Sequence, residues 1–156
     1  MLVILQEPLW QSMEDWEFKM IDMMKNDEIL GNVQQVIHQS CGLALEDIHP
    51  NATLFEELSI DSIDMVDILF NLERTYDIEL KISEIEKYSK EEMGDEPFEI
   101  DHVITPKGLE VLKRRLPEID HSKIVEGIGI HDIVRLITVQ SLANMVQVQM
   151  DKKGDA

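Results

Sequence analysis

The sequence predicts an all-α protein with long connections between its helices. Apolar residues recur at steps of three or four in several separate stretches, which is the spacing of one helix face. The 7 glycines and 5 prolines do not gather into a flexible linker. The one alternating run, Phe98–Ile104, is a short strand without an evident partner, so no substantial sheet is expected.

Two helices are predicted before residue 42. In the first, over residues 8–24, one face carries Leu9, Met13, Trp16, Met20 and Met24. Residues 1–26 are interpreted as an N-terminal extension that packs on the protein, with a partner-docking helix as the alternative. The second helix is predicted from Asp27, as N-cap, to Cys41, followed by Gly42 in the position of a C-terminal glycine.

A long loop over residues 43–61 leads to a helix that begins at Ser62. Asp61 or Ser62 can cap this helix, and nearby acidic residues suit its positive end. Its predicted core face carries Ile63, Val66, Leu69, Leu72 and Tyr76.

The stretch after residue 82 is read as a short helix, a polar loop over 90–97 and a further helix. The short helix is indicated by Ile82, Ile85 and Tyr88. Thr105 and Pro106 are typical of a helix start, and Pro117 stops that helix. Its apolar face carries Leu109, Leu112 and Leu116. Thr138 caps a last helix to about Met150, and residues 151–156 form a tail.

Charge and cysteine content exclude several functions. The 156 residues carry 14 Lys+Arg against 32 Asp+Glu, a net charge of -18. Such a chain repels nucleic acid and anionic membrane surfaces. Cys41 is the only cysteine, so no internal disulfide forms, and it is interpreted as a small buried residue. No apolar run is long enough for an integral membrane protein, and Met1–Leu5 lacks the basic flank of a signal peptide, so a cytoplasmic location is expected.

The stretch Glu57–Asp67 holds the residues with the most distinctive chemistry. It places the Ser62 hydroxyl at a helix N-terminus between Asp61 and Asp64. A hydrolase nucleophile would need a positioned general base and an oxyanion hole, and the surrounding carboxylates disfavour an oxyanion. We therefore expect no catalytic residue. The five histidines have no zinc-site spacing, so no metal site is expected.

The run Asp61–Asp64 resembles the prosthetic-group site of acyl carrier proteins, whose usual pattern is Asp-Ser-Leu/Ile-Asp. The resemblance extends upstream over 51–58 and downstream over 66–73 and 76–80. It implies a four-helix bundle over 27–150, with an insertion at about 83–137 that adds one helix. It also implies that Ser62 carries a 4′-phosphopantetheine arm derived from coenzyme A.

Three residues depart from the family pattern. Ser59 stands where the family usually has glycine, and Arg74 and Thr75 stand where acidic residues are common. The long insertion resembles that of carriers dedicated to special pathways. We expect its helix, from Pro106 to Leu116, to pack on the bundle and shape access to a cargo cavity.

The resemblance implies a carrier that holds acyl groups as thioesters, in a specialised fatty-acid, lipid or polyketide pathway, and not an enzyme. Expected partners are a phosphopantetheinyl transferase and acyl-loading, synthase or acyltransferase enzymes with basic docking patches. The residues expected to contact them are Asp61, Ile63, Asp64, Met65, Asp67 and Glu73. Residues 44–101 hold 18 acidic against 4 basic side chains, which suits such patches, and a monomer is expected.

Three alternatives remain open at this point. One is an aminoacyl or peptidyl carrier, because the same arm holds those cargoes. The second is an unmodified acidic helical interaction module, in which Ser62 only caps a helix. The third is an enzyme that uses the Asp and Glu clusters.

Overall fold

The computed structural model describes residues 9–154, with side chains from residue 15 onward, and this part is mainly helical. Its five α-helices are Leu9–Cys41 (α1), Ser62–Tyr76 (α2), Ser83–Met93 (α3), Pro106–Arg115 (α4) and Val139–Gly154 (α5). Three short 3₁₀ turns lie between them, at Leu45–Asp47, His121–Lys123 and Ile130–Leu136. The all-α prediction is therefore confirmed.

A two-stranded antiparallel hairpin replaces the single strand that the sequence predicted. Its strands are Glu99–Ile100 (β1) and Val103–Ile104 (β2). The turn residues Asp101 and His102 have φ of 53° and 68°, the left-handed conformation of a tight hairpin turn. The strand's partner is therefore the second half of the same short run.

Helix α1 is continuous across Asp27, so the prediction of a separate helix with Asp27 as N-cap is wrong. Neither glycine nor proline lies between Leu9 and Asp27, and Asp27 is exposed. An acidic residue is tolerated inside a helix when its side chain reaches water. The helix ends as predicted, because Gly42 has a φ of 71° and its N–H donates to the His38 carbonyl at 2.9 Å.

The larger hydrophobic core, named the carrier core after the family resemblance, lies between α1, α2 and α5, with the 42–61 loop packed against it. Its fully buried side chains include Val33, Ile37, Ile68, Leu72, Leu142 and Val146. The loop is fastened by buried Ile48 and Leu54, and the Leu54 N–H donates to the Ile137 carbonyl at 3.0 Å. Thr138 and Ser141 cap α5 reciprocally, each backbone N–H donating to the other's hydroxyl oxygen at 3.1 Å. This confirms the predicted cap.

The insertion has a hydrophobic core of its own. Its buried side chains are Met93, Phe98, Ile104, Leu109, Val111, Leu112, Leu116, Ile119, Ile124, Ile130 and Ile133. Thr105 caps α4 by accepting from the Gly108 N–H at 3.1 Å, as predicted. The prediction that α4 packs mainly on the bundle is wrong. Its apolar face lies in the insertion core against α3, because α3 and the hairpin offer the nearer apolar surface.

The insertion meets the carrier core at one side of α5. Glu118 accepts from the Ser141 hydroxyl at 2.8 Å and from the Asn144 amide at 3.4 Å. Beside this contact, a cavity of about 130 Å³ is lined by residues of α3, α5 and the end of α4, including Ile85, Leu116 and Met145. Ile85 packs against both cores. The insertion is thus joined to the carrier by a limited interface.

Candidate functional site

Ser62 is the first residue of α2 and is exposed. The preceding Asp61 is the N-cap, and its Oδ1 accepts from the Asp64 N–H at 2.7 Å. Of the two predicted capping residues, the structure therefore selects Asp61. No hydrogen bond to a described residue occupies the Ser62 hydroxyl, so it is free to react.

The loop before Ser62 holds this serine in place. Ile60 is buried, and its N–H donates to the Leu54 carbonyl at 3.0 Å. Ser59 has a φ of 54°, the left-handed region that favours glycine. The position at which acyl carrier proteins usually have glycine therefore keeps a glycine-like conformation here, although the residue is serine.

Replacing Ser59 with glycine is expected to stabilise the protein. Relief of the left-handed strain exceeds the greater chain entropy of glycine, so we expect a gain of roughly 0.5–1 kcal/mol in the free energy of unfolding. Denaturant titration measures it. Ser59→Ala is the control, because it removes the hydroxyl but keeps the strained Cβ. Equal stability of the two variants would show that the backbone conformation costs nothing.

The core face of α2 differs from the predicted one. Met65, Ile68 and Leu72 are buried, whereas Ile63 and Val66 are 79% and 68% exposed. Phe70 is 53% exposed, and the Arg74 guanidinium lies 5.6 Å from its ring centre. The stripe through Met65, Ile68 and Leu72 and the stripe through Ile63, Val66 and Phe70 both have helical spacing. Packing of α2 against α1 and α5 buries the first stripe. The expected exposure of Met65 is therefore wrong.

The predicted contact residues separate into two groups. Asp61, Ile63 and Asp67 are exposed and Asp64 is half-buried, so these four surround Ser62 on one accessible surface. Glu73 instead accepts from the Leu80 N–H at 3.4 Å and helps to close the turn after α2. Val66 and Phe70 were not among the predicted contact residues, and they extend the exposed apolar stripe along α2.

Cys41 lies near the carboxylates at the start of α2. Burial raises the pKa of its thiol, and the charges of Asp64, Asp61 and Asp67 raise it further. A thiol held in its protonated form is a poor nucleophile. Together with its packing against the carrier core, this supports the interpretation of Cys41 as a structural residue.

Comparison with known proteins decides the family. Residues 32–90 match the family model described as "Phosphopantetheine attachment site". The chain is 32% identical over 63 residues to the acyl carrier protein of an Arthrobacter species, covering 40% of this chain and 78% of that protein. The chain belongs to the acyl carrier protein family. The carrier of Rubrobacter xylanophilus is 31% identical over 64 residues, covering 41% of this chain and 79% of that protein.

The prosthetic group of this family is 4′-phosphopantetheine. The start of α2 fits its phosphodiester in two respects. The Ser62 hydroxyl is exposed, and the N–H groups of Ser62 and Ile63 have no carbonyl partners within the helix, whereas that of Asp64 donates to the Asp61 cap. Such N–H groups and the helix dipole favour a bound phosphate. The Asp61 and Asp64 carboxylates oppose this effect, but their solvent contact weakens the repulsion.

The match leaves most of the insertion outside the matched segment. It ends at residue 90 within α3, before most of the insertion core. Among the described residues, no group of three or more His, Cys, Asp or Glu side chains could hold a metal ion. Within residues 9–154, none of the helices combines the length and apolar content that crossing a bilayer requires.

Proposed function

We propose that Ser62 is the attachment residue for 4′-phosphopantetheine and that the protein delivers acyl groups bound to this arm. The observation that carries the proposal is the free, exposed hydroxyl at the first residue of α2, inside the segment that matches the family. Asp61 supplies the cap, so modification of Ser62 leaves the helix start intact.

The loading reaction follows from the chemistry of coenzyme A. The Ser62 Oγ attacks the β-phosphorus, the phosphoanhydride bond breaks, and 3′,5′-adenosine bisphosphate leaves. The transferase supplies Mg²⁺ and accepts the hydroxyl proton. When bound, the arm supplies a thiol that holds an acyl group as a thioester. The protein itself positions Ser62 and presents a docking surface, and we propose no catalytic role for its own side chains.

Loading can be measured directly by intact mass. Incubation with coenzyme A, Mg²⁺ and a broad-specificity transferase should add the mass of one phosphopantetheine group. No gain on a folded protein would favour the unmodified interaction module instead. A gain without any later thioester would leave the arm in place and refute acyl delivery.

The docking surface is proposed to comprise Asp61, Ile63, Asp64 and Asp67, extended by the Val66–Phe70 stripe. The exposed carboxylates attract basic patches on partner enzymes and raise association rates. The apolar side chains between them supply contacts that exclude water. Partners of this kind are the transferase and the enzymes that load, extend or remove the acyl group.

Ile63→Ala is expected to lower the kcat/KM of loading by the transferase about tenfold, because an anchor next to the reacting hydroxyl is lost. Val125→Ala is the control, since Val125 is also an exposed β-branched apolar residue, at 52%, but lies in the insertion. Loading rates by intact mass give the comparison. Equal rates for the two variants would remove Ile63 from the docking surface.

The pathway is proposed to be a specialised fatty-acid, lipid or polyketide pathway in the cytoplasm. The support is the insertion core, which adds a second structural unit beyond the matched segment. An aminoacyl or peptidyl carrier is the alternative, because nothing in the Ser62 surface distinguishes the cargoes. The mass of the thioester isolated from the source cell separates the two.

A further inference from the structure

The exposed face of α2 ends in a positive charge. Four exposed side chains lie within an arc of about 80° on the helix, namely Ile63, Val66, Phe70 and Arg74. The guanidinium carbon of Arg74 lies 5.6 Å from the centre of the Phe70 ring, which is within the range of a cation–π contact. The apolar stripe that begins beside Ser62 therefore ends at a guanidinium placed against its last aromatic ring.

The carboxylates nearest to Arg74 along the chain have other partners. Glu73 accepts from the Leu80 N–H at 3.4 Å. Asp77 forms an ion pair with Lys153 at 3.1 Å. Within residues 15–154, no carboxylate forms an ion pair with Arg74 itself. The positive charge of Arg74 is therefore open to a carboxylate from outside this part of the protein.

The charge of the docking surface changes sign along α2. Asp61, Asp64 and Asp67 make the half beside Ser62 negative, whereas Arg74 makes the other end positive. Asp67 and Arg74 are seven residues apart, which is roughly 10 Å along the helix. This exceeds the Debye length of about 8 Å at physiological salt. A partner therefore meets the two signs as separate sites.

We propose that Arg74 determines which partner enzymes fit the docking surface. A fitting enzyme has basic residues opposite Asp61–Asp67 and a carboxylate opposite Arg74, about 10 Å further along the helix. An enzyme whose basic patch covers the whole length of α2 places a like charge against Arg74 and is disfavoured. This selection rests on the proposed function, because it assigns a kind of partner to the same docking surface.

The Phe70 ring gives the guanidinium a defined position. An exposed arginine loses side-chain entropy when it binds a partner, and an existing contact with the ring reduces that cost. The planar guanidinium can still donate two parallel N–H bonds to one carboxylate. Because Phe70 is itself 53% exposed, the partner carboxylate is expected beside an apolar side chain that contacts this ring.

Acylation kinetics of the loaded protein test this selection. The probe is an acyl-transferring enzyme purified from the source cell by its activity on the loaded wild type. Arg74→Glu should raise the KM for the carrier about fivefold with kcat unchanged, because an attraction becomes a repulsion. Lys87→Glu is the control, since Lys87 is exposed in α3 and the substitution changes the net charge equally. An unchanged or lower KM for Arg74→Glu, or an equal rise in the control, would overturn the proposal.

A charge swap on the enzyme identifies the complementary group. Acidic residues on its carrier-binding face are replaced one at a time by lysine. One replacement should return the KM for Arg74→Glu to within about twofold of the wild-type pair. If none does, no carboxylate lies opposite Arg74 and the proposal is overturned. Intact mass keeps the two claims apart: a chain that takes no phosphopantetheine refutes the proposed function and this selection with it, whereas a loaded chain whose KM is independent of Arg74 refutes the selection alone.

Discussion

Replacing Ser62 with alanine is expected to abolish phosphopantetheine loading completely while leaving the stability almost unchanged. Alanine has no oxygen to attack coenzyme A, so the loss of mass gain is total. The hydroxyl makes no described hydrogen bond, and the cap is Asp61. The free energy of unfolding should therefore change by less than about 0.5 kcal/mol. Intact mass and denaturant titration measure the two effects.

Asp61→Ala is the matched control for this prediction. It removes the bond from the Asp64 N–H and should cost about 1 kcal/mol, but it keeps the Ser62 hydroxyl. The two neighbouring substitutions thus separate chemistry from stability. If Ser62→Ala cost as much stability as Asp61→Ala, Ser62 would be a structural cap and its assignment as a free hydroxyl would be wrong.

Replacing Leu112 with alanine is expected to destabilise the insertion by about 2–5 kcal/mol, because Leu112 is almost fully buried in the insertion core. The insertion has its own core and a limited interface with the carrier. Its amides in α3 and α4 should therefore exchange faster, while those of α1 and α2 keep their protection. Amide hydrogen exchange, measured separately for each helix, shows which helices lose protection. Loading of Ser62 should persist.

Leu72→Ala is the comparison, since Leu72 is equally buried in the carrier core. It should raise exchange in α1, α2 and α5 and slow Ser62 loading. Equal loss of protection throughout the chain in both variants would mean that the two cores unfold as one unit. The insertion would then be an integral part of the carrier fold.

The sequence predicted elements whose ends have local chemical signals. Helix α4 begins at a cap formed by Thr105 with Pro106 at the next position, and α5 begins at a cap formed by Thr138. Helix α1 ends at Gly42, which has a left-handed conformation. Asp27 shows the limit of these signals, because a residue that favours an N-cap also fits an exposed position inside a helix. Only a single strand was predicted where the structure has a hairpin, because both strands lie within the one short run Phe98–Ile104.

Burial was harder to predict than helicity. Helix α2 has two apolar stripes, one through Met65 and Ile68 and one through Ile63 and Val66. Periodicity alone does not say which stripe faces the core, because that depends on where α1 and α5 pack. The insertion core escaped prediction for the same reason. Leu112 shares this core with Phe98 and Ile130, and no local sequence pattern joins the three residues.

The sequence predicted the reactive serine of the candidate site but only part of the exposed surface around it. Ser62 could be predicted because the motif that identifies it is a continuous run of four residues, Asp61–Asp64. Val66 and Phe70 were missed because apolar residues on a helix are ordinarily assigned to the core. Their exposure is visible only once the packing of α2 is known, and it extends the proposed docking surface beyond the acidic residues.

Fragment mass spectrometry of the loaded wild-type protein shows whether Ser62 is the residue that carries the arm. After incubation with coenzyme A and the transferase, the added group should lie on Ser62 alone. Ser59, three residues earlier, is exposed and provides an internal control. A group on Ser59 or another residue, or an unmodified Ser62 in a folded protein, would contradict the account.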